Sequence, residues 1–128
     1  SLEKGYDKYN EMANNHWRLI QTALNDTPDG TIVYFMSHIE RDQLGNEKAK
    51  TIGRMIDQYV TLEGLFTIVL KTHVKDGKYT FITHNSGFDT VKTPLGMFAE
   101  NEIDNDLLMV DDIIREYYGM NKEEKDNG

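Results

Sequence analysis

A serine and a histidine stand next to each other where an apolar run ends. Thr31–Met36 is continuously apolar, with β-branched and aromatic residues, and Ser37-His38 follows it directly. Polar residues at the carboxyl end of a buried strand lie where α/β proteins place ligands. Neighbouring strand residues point to opposite faces, so the pair is not arranged as nucleophile and base. The pair therefore indicates either a ligand contact or a polar strand end that merely leaves the core.

Three basic residues form a local cluster in a chain that is otherwise acidic. Lys48, Lys50 and Arg54 lie around a predicted loop and the start of a predicted helix. One interpretation is contact with the phosphates of a nucleic acid, and the other is an ordinary solvated face.

A second cation stands in a long predicted loop. Lys92 is followed by Pro94 and Gly96, residues that can form a tight turn and present the lysine to a ligand. The alternative is an ordinary structured loop that packs Met97 and Phe98 into the core.

Histidines and acids raise the question of a metal site, but their placement argues against one. The hairpin described below puts His73 and His84 about 13 Å apart, at about 3.3 Å per residue. The acids do not follow the spacing of a calcium loop, and helix capping explains them better. No metal site is expected from the three strand histidines His38, His73 and His84, or from the acids Asp104, Asp106, Asp111 and Asp112.

Composition limits the function further. The chain has 128 residues, no cysteine and a formal net charge of −8. These features exclude disulfide scaffolds, cysteine nucleophiles and a generally basic surface that coats nucleic acid. The sequence also contains neither a Gly-x-x-x-x-Gly-Lys-Ser/Thr nor a Gly-x-Gly-x-x-Gly motif, and no apolar stretch long enough to cross a membrane.

Apolar periodicity predicts an α/β layered fold with one core. The expected order is a helix, a buried strand, a short helix, a hairpin, a long loop and a last helix. Asn105 is the predicted N-cap of the last helix and Gly119 its stop. The predicted bounds are helices at 6–24, 51–59 and 106–118, strands at 31–36, 65–74 and 78–85, and loops at 43–50 and 86–104.

The hairpin turn can be placed from its sequence. Asp76-Gly77 is a strong two-residue turn signal, and it pairs Lys75 with Lys78 and Val74 with Tyr79. Alternation along the two strands then separates an apolar face from a polar one. The predicted core face carries Phe66, Ile68, Leu70, Val74, Tyr79 and Phe81.

The ordered set of these elements resembles the C-terminal half of phage-encoded RecA-like, AAA-type ATP-binding proteins of recombination modules. The resemblance covers about Lys4 to Gly119. It implies a partial RecA-like fold, a short mixed sheet with a hairpin flanked by helices that lacks the phosphate-loop strand. Residues 1–119 would be the C-terminal portion of the ATPase domain and residues 120–128 a flexible polar tail. The matching segments are Lys4–Tyr9, Ile32–His38, Lys50–Asp57, Thr61–Leu70, Thr90–Phe98, Asn105–Leu107 and Arg115–Gly119.

The resemblance also implies roles for several residues. Ser37 and His38 would stand where a sensor residue approaches the γ-phosphate. Lys92 and Gly96 look like the frame in which a basic residue reaches the nucleotide of a neighbouring subunit. Pro94 stands where the family usually has an arginine.

The same resemblance implies the cofactors and partners. ATP and Mg²⁺ would bind the intact parent protein through an upstream phosphate loop, and this chain alone would bind neither and be inactive. The resemblance further implies that the protein forms homo-oligomers, that DNA is contacted through the parent protein, and that no membrane is bound. The expected location is the cytoplasm of a bacterial host.

Self-association follows from the missing central strand, because the strand at Thr31–Met36 would expose unpaired backbone groups. Two other functions remain open. One is a small protein-interaction module that uses the hairpin or the acidic last helix. The other is a hydrolase that uses Ser37 and the histidines.

Overall fold

The structure, a computed structural model, describes residues 18–49 and 66–120 as a mixed α/β arrangement of two small antiparallel sheets and two helices. The predicted short helix at 51–59, the start of the predicted first helix and residues 121–128 lie outside these ranges. The elements are α1 (residues 18–26), β1 (Ile39–Arg41), β2 (Glu47–Ala49), β3 (Lys71–Lys75), β4 (Lys78–Ile82), β5 (Glu102–Asp104) and α2 (Leu107–Tyr117).

The β3–β4 hairpin forms with the predicted register. Lys75 pairs with Lys78 and Val74 with Tyr79, as the position of Asp76-Gly77 requires. Both turn residues have positive φ, 51° for Asp76 and 74° for Gly77. That combination defines a type I′ turn, whose twist matches the twist of antiparallel strands. The first strand is shorter than predicted, because it begins at Lys71.

A third strand, β5, lies within the segment predicted as a loop from 86 to 104. It pairs antiparallel with β4, with Ile103 opposite Phe81, and gives the sheet order β3-β4-β5. The prediction of a loop here was wrong because the strand is only three residues long and its alternation, Glu102-Ile103-Asp104, is too short to stand out.

The prediction of a buried strand at Thr31–Met36 is also wrong. Among the described residues no strand pairs with this segment, and Met36 is 91% exposed. Side chains anchor the segment instead: the ring of Phe35 lies 5.4 Å from that of Phe66. Arg115 of α2 donates from Nη1 to the carbonyl of Gly30 at 2.8 Å. An apolar run forms a buried strand only where a neighbouring strand is available to pair with its backbone, and this segment has no such neighbour among the described residues.

A second hairpin, β1–β2, replaces the predicted polar segment and loop that follow. Ile39 pairs with Ala49 and Arg41 with Glu47. Asp42 closes the connection, since its Oδ1 accepts hydrogen bonds from the backbone N–H groups of Leu44 and Asn46, each at 2.9 Å. An aspartate that bonds its own loop backbone is a common way to stabilise such a connection.

Helix α2 begins one residue later than predicted. Its N-cap is Asp106, whose carboxylate accepts from the N–H groups of Leu108 and Met109, and not Asn105. The predicted stop at Gly119 is confirmed, with φ at 64° and its N–H bonded to the carbonyl of Glu116. Met120, predicted as the first tail residue, donates its N–H to the carbonyl of Arg115.

The core lies between α2, β4 and the loop after residue 90. Its buried members are Phe81, Met97, Phe98, Val110 and Ile114, and Ile68, Leu70 and Ile103 pack against them.

The predicted core face is therefore right only away from the turn. Near the turn, Val74 and Tyr79 are 55% and 65% exposed. The hairpin thus extends its tip beyond the core.

Candidate functional site

The turn that follows Lys92 is held by backbone and side-chain hydrogen bonds. Lys92 exchanges both backbone hydrogen bonds with Val69, at 2.7 and 3.0 Å. Thr93 Oγ1 donates to the carbonyl of Thr83 at 2.7 Å. The N–H of Met97 bonds to the carbonyl of Pro94 at 3.1 Å, and Gly96, the third residue of that turn, has φ at 78°. Glycine adopts this left-handed conformation without the strain that a Cβ brings.

Two predictions for this loop prove compatible. Met97 and Phe98 are buried in the core, whereas Lys92 is exposed. The core anchors fix the loop and leave the lysine at the surface. An exposed lysine and a loop packed into the core were alternative interpretations of the sequence, but the structure contains both.

Helix α2 supports the apex of the same turn. Tyr117 Oη donates to the carbonyl of Leu95 at 2.9 Å, and the rings of Tyr117 and Tyr118 meet edge to face with centroids 5.1 Å apart. The side chain of Leu95 is 96% exposed. We name residues 92–96 the Lys92 turn; it is fixed at both ends and at its apex.

Ser37 and His38 lie at the surface just before β1, not at the end of a buried strand. Ser37 Oγ donates to the carbonyl of His38 at 3.0 Å, and both residues are exposed. This local hydrogen bond holds the hydroxyl against the backbone and does not prepare it as a nucleophile.

Of the predicted basic cluster, the described residues include only Lys48. It lies on β2 opposite Glu40, with Nζ 3.6 Å from Glu40 Oε1. Both side chains are nearly half exposed, so this ion pair is weak and can exchange for another anion. Lys50 and Arg54 lie outside the described residues, and contact of the cluster with phosphates stays a prediction.

A buried carboxylate joins the two hairpins. Lys71 Nζ of β3 lies 2.6 Å from Glu47 Oε2, and Arg41 Nη2 of β1 lies 2.9 Å from Oε1. The N–H of Glu47 also bonds to the carbonyl of Phe88 at 2.6 Å. Lys71 lowers the pKa of the Glu47 carboxylate most, and Arg41 lowers it further. Burial acts in the opposite direction but does not outweigh the two cations. We call Arg41, Glu47 and Lys71 the Glu47 cluster.

Sequence reasoning missed the Glu47 cluster because its members lie on three strands. The usable signal was local: Asp42, Gly45 and Asn46 mark a hairpin connection, and Arg41 and Glu47 flank it with opposite charges. The third member, Lys71, is 24 residues further along the chain and only the tertiary fold brings it near.

A polar contact also crosses the three-stranded sheet. Glu102 Oε1 accepts hydrogen bonds from Thr80 Oγ1 at 2.5 Å and lies 3.2 Å from His73 Nδ1. The hydrogen bond from Thr80 lowers the pKa of Glu102 most, and the contact with His73 lowers it further. His84 bonds instead through Nδ1 to Thr83 Oγ1 at 2.8 Å. The two histidines thus have different partners.

Tyr34 links the segment before β1 to α2. Partial burial raises the pKa of Tyr34, and the nearby Asp111 carboxylate, to which it is hydrogen-bonded, raises it as well. Asp111 is held in turn by Arg115, whose Nε lies 2.6 Å from Oδ1. This contact explains Asp111 as a structural acid, in place of the helix-capping role that its position suggested.

Further observations limit the chemistry. Within residues 18–49 and 66–120, no three histidine or acidic side chains come together as metal ligands. No helix in that part of the chain has the length and apolar character needed to span a bilayer. Comparisons with protein-family models, curated proteins and solved structures find no match for this chain.

Proposed function

We propose that this chain is the C-terminal part of a phage RecA-like ATPase that acts in DNA recombination or replication. The segments quoted above for the resemblance support the family. The observation that carries the proposed role is the Lys92 turn, an exposed lysine on a loop whose ends and apex are fixed. Because the backbone of the loop is already fixed, only the lysine side chain has to be ordered when the ligand arrives.

In this proposal Lys92 contacts the nucleotide bound by a neighbouring subunit. An ammonium group placed at the γ-phosphate stabilises the charge that develops as the phosphoryl group leaves, the role that an arginine finger supplies in trans. Gly96 contributes by allowing the turn, since a side chain there would be strained at its positive φ. Tyr117 is a positioning residue, because its hydroxyl holds the Leu95 carbonyl.

ATP and Mg²⁺ belong to the upstream half in this proposal. The part that falls to this chain is a contact with phosphate from outside, through the exposed Lys92. The nucleotide supplies the phosphoryl group when it is bound. This chain contributes a positioned charge and the surface on which that charge sits.

The test is ATP hydrolysis by the intact protein that carries this chain together with its phosphate loop. Lys92→Ala is expected to lower kcat by roughly 10²- to 10³-fold, with KM for ATP little changed, because the contact forms mainly in the transition state. Lys92→Arg should retain part of the rate. Arg18→Ala removes an exposed cation on α1 and is the matched control, expected to leave kcat unchanged.

Mixing two inactive variants tests the contact in trans. Lys92→Ala subunits are combined with subunits whose phosphate-loop lysine is replaced. If each site takes Lys92 from the neighbour, a random equimolar mixture should recover about a quarter of the wild-type activity. Wild-type turnover by Lys92→Ala, or a mixture without recovery, would refute the role.

A further inference from the structure

The three-stranded sheet has two outer edges with unpaired backbone groups. Since Lys75 and Lys78 flank a two-residue turn, they exchange both backbone bonds, and the groups of Thr72 and Val74 point away from β4. On the other side, Ile103 faces β4 and the groups of Glu102 point outward. Among the described residues no strand covers either edge.

The two edges carry opposite charge on the same face of the sheet. By alternation Lys71, His73 and Lys75 of β3 share a face with Glu102 and Asp104 of β5. Lysine on an edge strand prevents two such edges from pairing with each other, because like charges would stand opposite. Two β5 edges are kept apart in the same way, because Glu102 and Asp104 of one copy would stand opposite the same acids of the other.

A groove accompanies the acidic edge. It is an open depression of about 780 Å³, and its lining includes Ile103 and Met109 together with four acids and two lysines. Extended peptide backbone that enters it would meet the outward groups of Glu102 and a negative potential. The charged wall residues are Asp76, Glu100, Glu102, Asp104, Lys75 and Lys78.

We propose that the β3 edge of one copy of this chain pairs with the β5 edge of a second copy. Strand β3 is the other unpaired edge of the same sheet, and its exposed Lys75 has the charge that suits the groove. Lys71 and His73 are already paired with Glu47 and Glu102 of their own chain, so Lys75 is the residue that would meet the acids of the second copy. The exposed ion pair Lys78–Asp104, at 3.6 Å with both side chains 71% exposed, is weak enough to exchange for a lysine of the second copy.

Such an interface is heterologous, since different surfaces of the two copies meet. Each copy keeps one open edge after pairing, so assembly continues into a ring or a filament and does not stop at a dimer. This interface does not depend on nucleotide, and it is independent of the role proposed for Lys92. Opposite charges at its centre make it weaken as salt rises.

The test is sedimentation equilibrium of the full chain over a range of protein and salt concentrations. Wild type is expected to exceed the mass of a dimer as concentration rises at low salt, and to dissociate as salt is added. Thr72→Pro removes an outward N–H of β3 and keeps the ladder to β4. Asp104→Lys removes the net negative charge of β5. Each is expected to raise the apparent dissociation constant about tenfold or more.

An equimolar mixture of the two variants separates this interface from the alternatives. The intact β5 edge of Thr72→Pro and the intact β3 edge of Asp104→Lys form one interface, so a 1:1 complex that grows no further is expected. Circular dichroism checks that each variant is folded, and Lys75→Glu replaces Thr72→Pro if proline unfolds the hairpin. A monomeric wild type, a variant that assembles like wild type, or a mixture without complex would overturn the proposal.

Discussion

Replacing Glu47 by glutamine tests whether the Glu47 cluster holds the two hairpins together. The substitution keeps the shape and removes the charge that faces Lys71 at 2.6 Å and Arg41 at 2.9 Å. The side chain of Glu47 is only 6% exposed, so water does not replace the lost partners well. Loss of the carboxylate also leaves the partly buried ammonium of Lys71 without its counter-ion.

The expected cost follows from the exposure of the two cations. The side chain of Lys71 is 27% exposed and that of Arg41 is 71% exposed, so most of the stabilisation lies in the Lys71 contact. The Lys71 contact is a partly buried ion pair. Breaking a fully buried ion pair by removing one partner costs about 3–5 kcal/mol and breaking an exposed one about 0.5 kcal/mol, so a partly buried pair lies between these limits. Glu47→Gln is therefore expected to lower the free energy of unfolding by about 2 kcal/mol at pH 7, and Arg41→Ala by about 0.5 kcal/mol.

The loss depends on pH with a definite sign. The pKa of Glu47 is lowered in the folded chain, so its stabilisation is fully present above the unfolded-state pKa. It is lost as pH falls through the folded pKa, where wild type comes to carry a neutral side chain like that of the variant. The difference between wild type and Glu47→Gln should therefore shrink from pH 7 toward the acid limit of folding.

Urea unfolding followed by far-UV circular dichroism measures this difference, at one fixed protein concentration because assembly alters apparent stability. Lys71→Met alone and combined with Glu47→Gln completes a double-mutant cycle, with an expected coupling of about 1 kcal/mol. A difference below about 0.5 kcal/mol at pH 7, or one that stays constant as pH falls, would show that the carboxylate does not hold the hairpins together.

Substitutions at two further positions test local conformations. Gly77→Ala should cost about 1–2 kcal/mol, because φ is 74° and open space around the added Cβ leaves only backbone strain. Gly77→Asn should cost less, and equal costs in urea unfolding would contradict this. Asp106→Ala should cost about 1 kcal/mol by removing the N-cap of α2, whereas Asp106→Asn should be close to neutral. A loss of helix signal at 222 nm in both variants alike would show that capping is not the cause.

Features specified by a few adjacent residues were predictable from the sequence. The Asp76-Gly77 turn sets its own register, and Gly119 ends α2, because both depend on backbone conformations that nearby residues impose. The N-cap was predicted at Asn105, one residue before its position at Asp106 in the structure. Either side chain can cap, but it is Asp106 that has the extended backbone of an N-cap and accepts from the N–H groups of Leu108 and Met109.

Features that need distant partners were not predictable. Thr31–Met36 has the composition of a buried strand, but composition does not supply the neighbouring strand. The Glu47 cluster and the Glu102 contacts join residues between 6 and 29 positions apart, across separate elements. In the candidate site the lysine and the turn could be read from the sequence. The support from Tyr117, which lies 22 residues after Leu95, could not.

The segment Thr31–Met36 has a consequence for the solution behaviour of the chain. It holds six residues without charge, proline or glycine, five of them of high β-propensity, which is the composition from which cross-β fibrils nucleate. Asp29 precedes it, and Glu40, Arg41 and Asp42 follow shortly after, so charges flank it in the manner of gatekeeper residues. The bond of Arg115 to Gly30 and the ring contact of Phe35 keep it attached to the body of the chain. The contact of Tyr34 with Asp111 and the packing of Ile32 against the core hold the same segment. Loss of these contacts is therefore expected to lower the solubility of the chain more than the stability of the sheet.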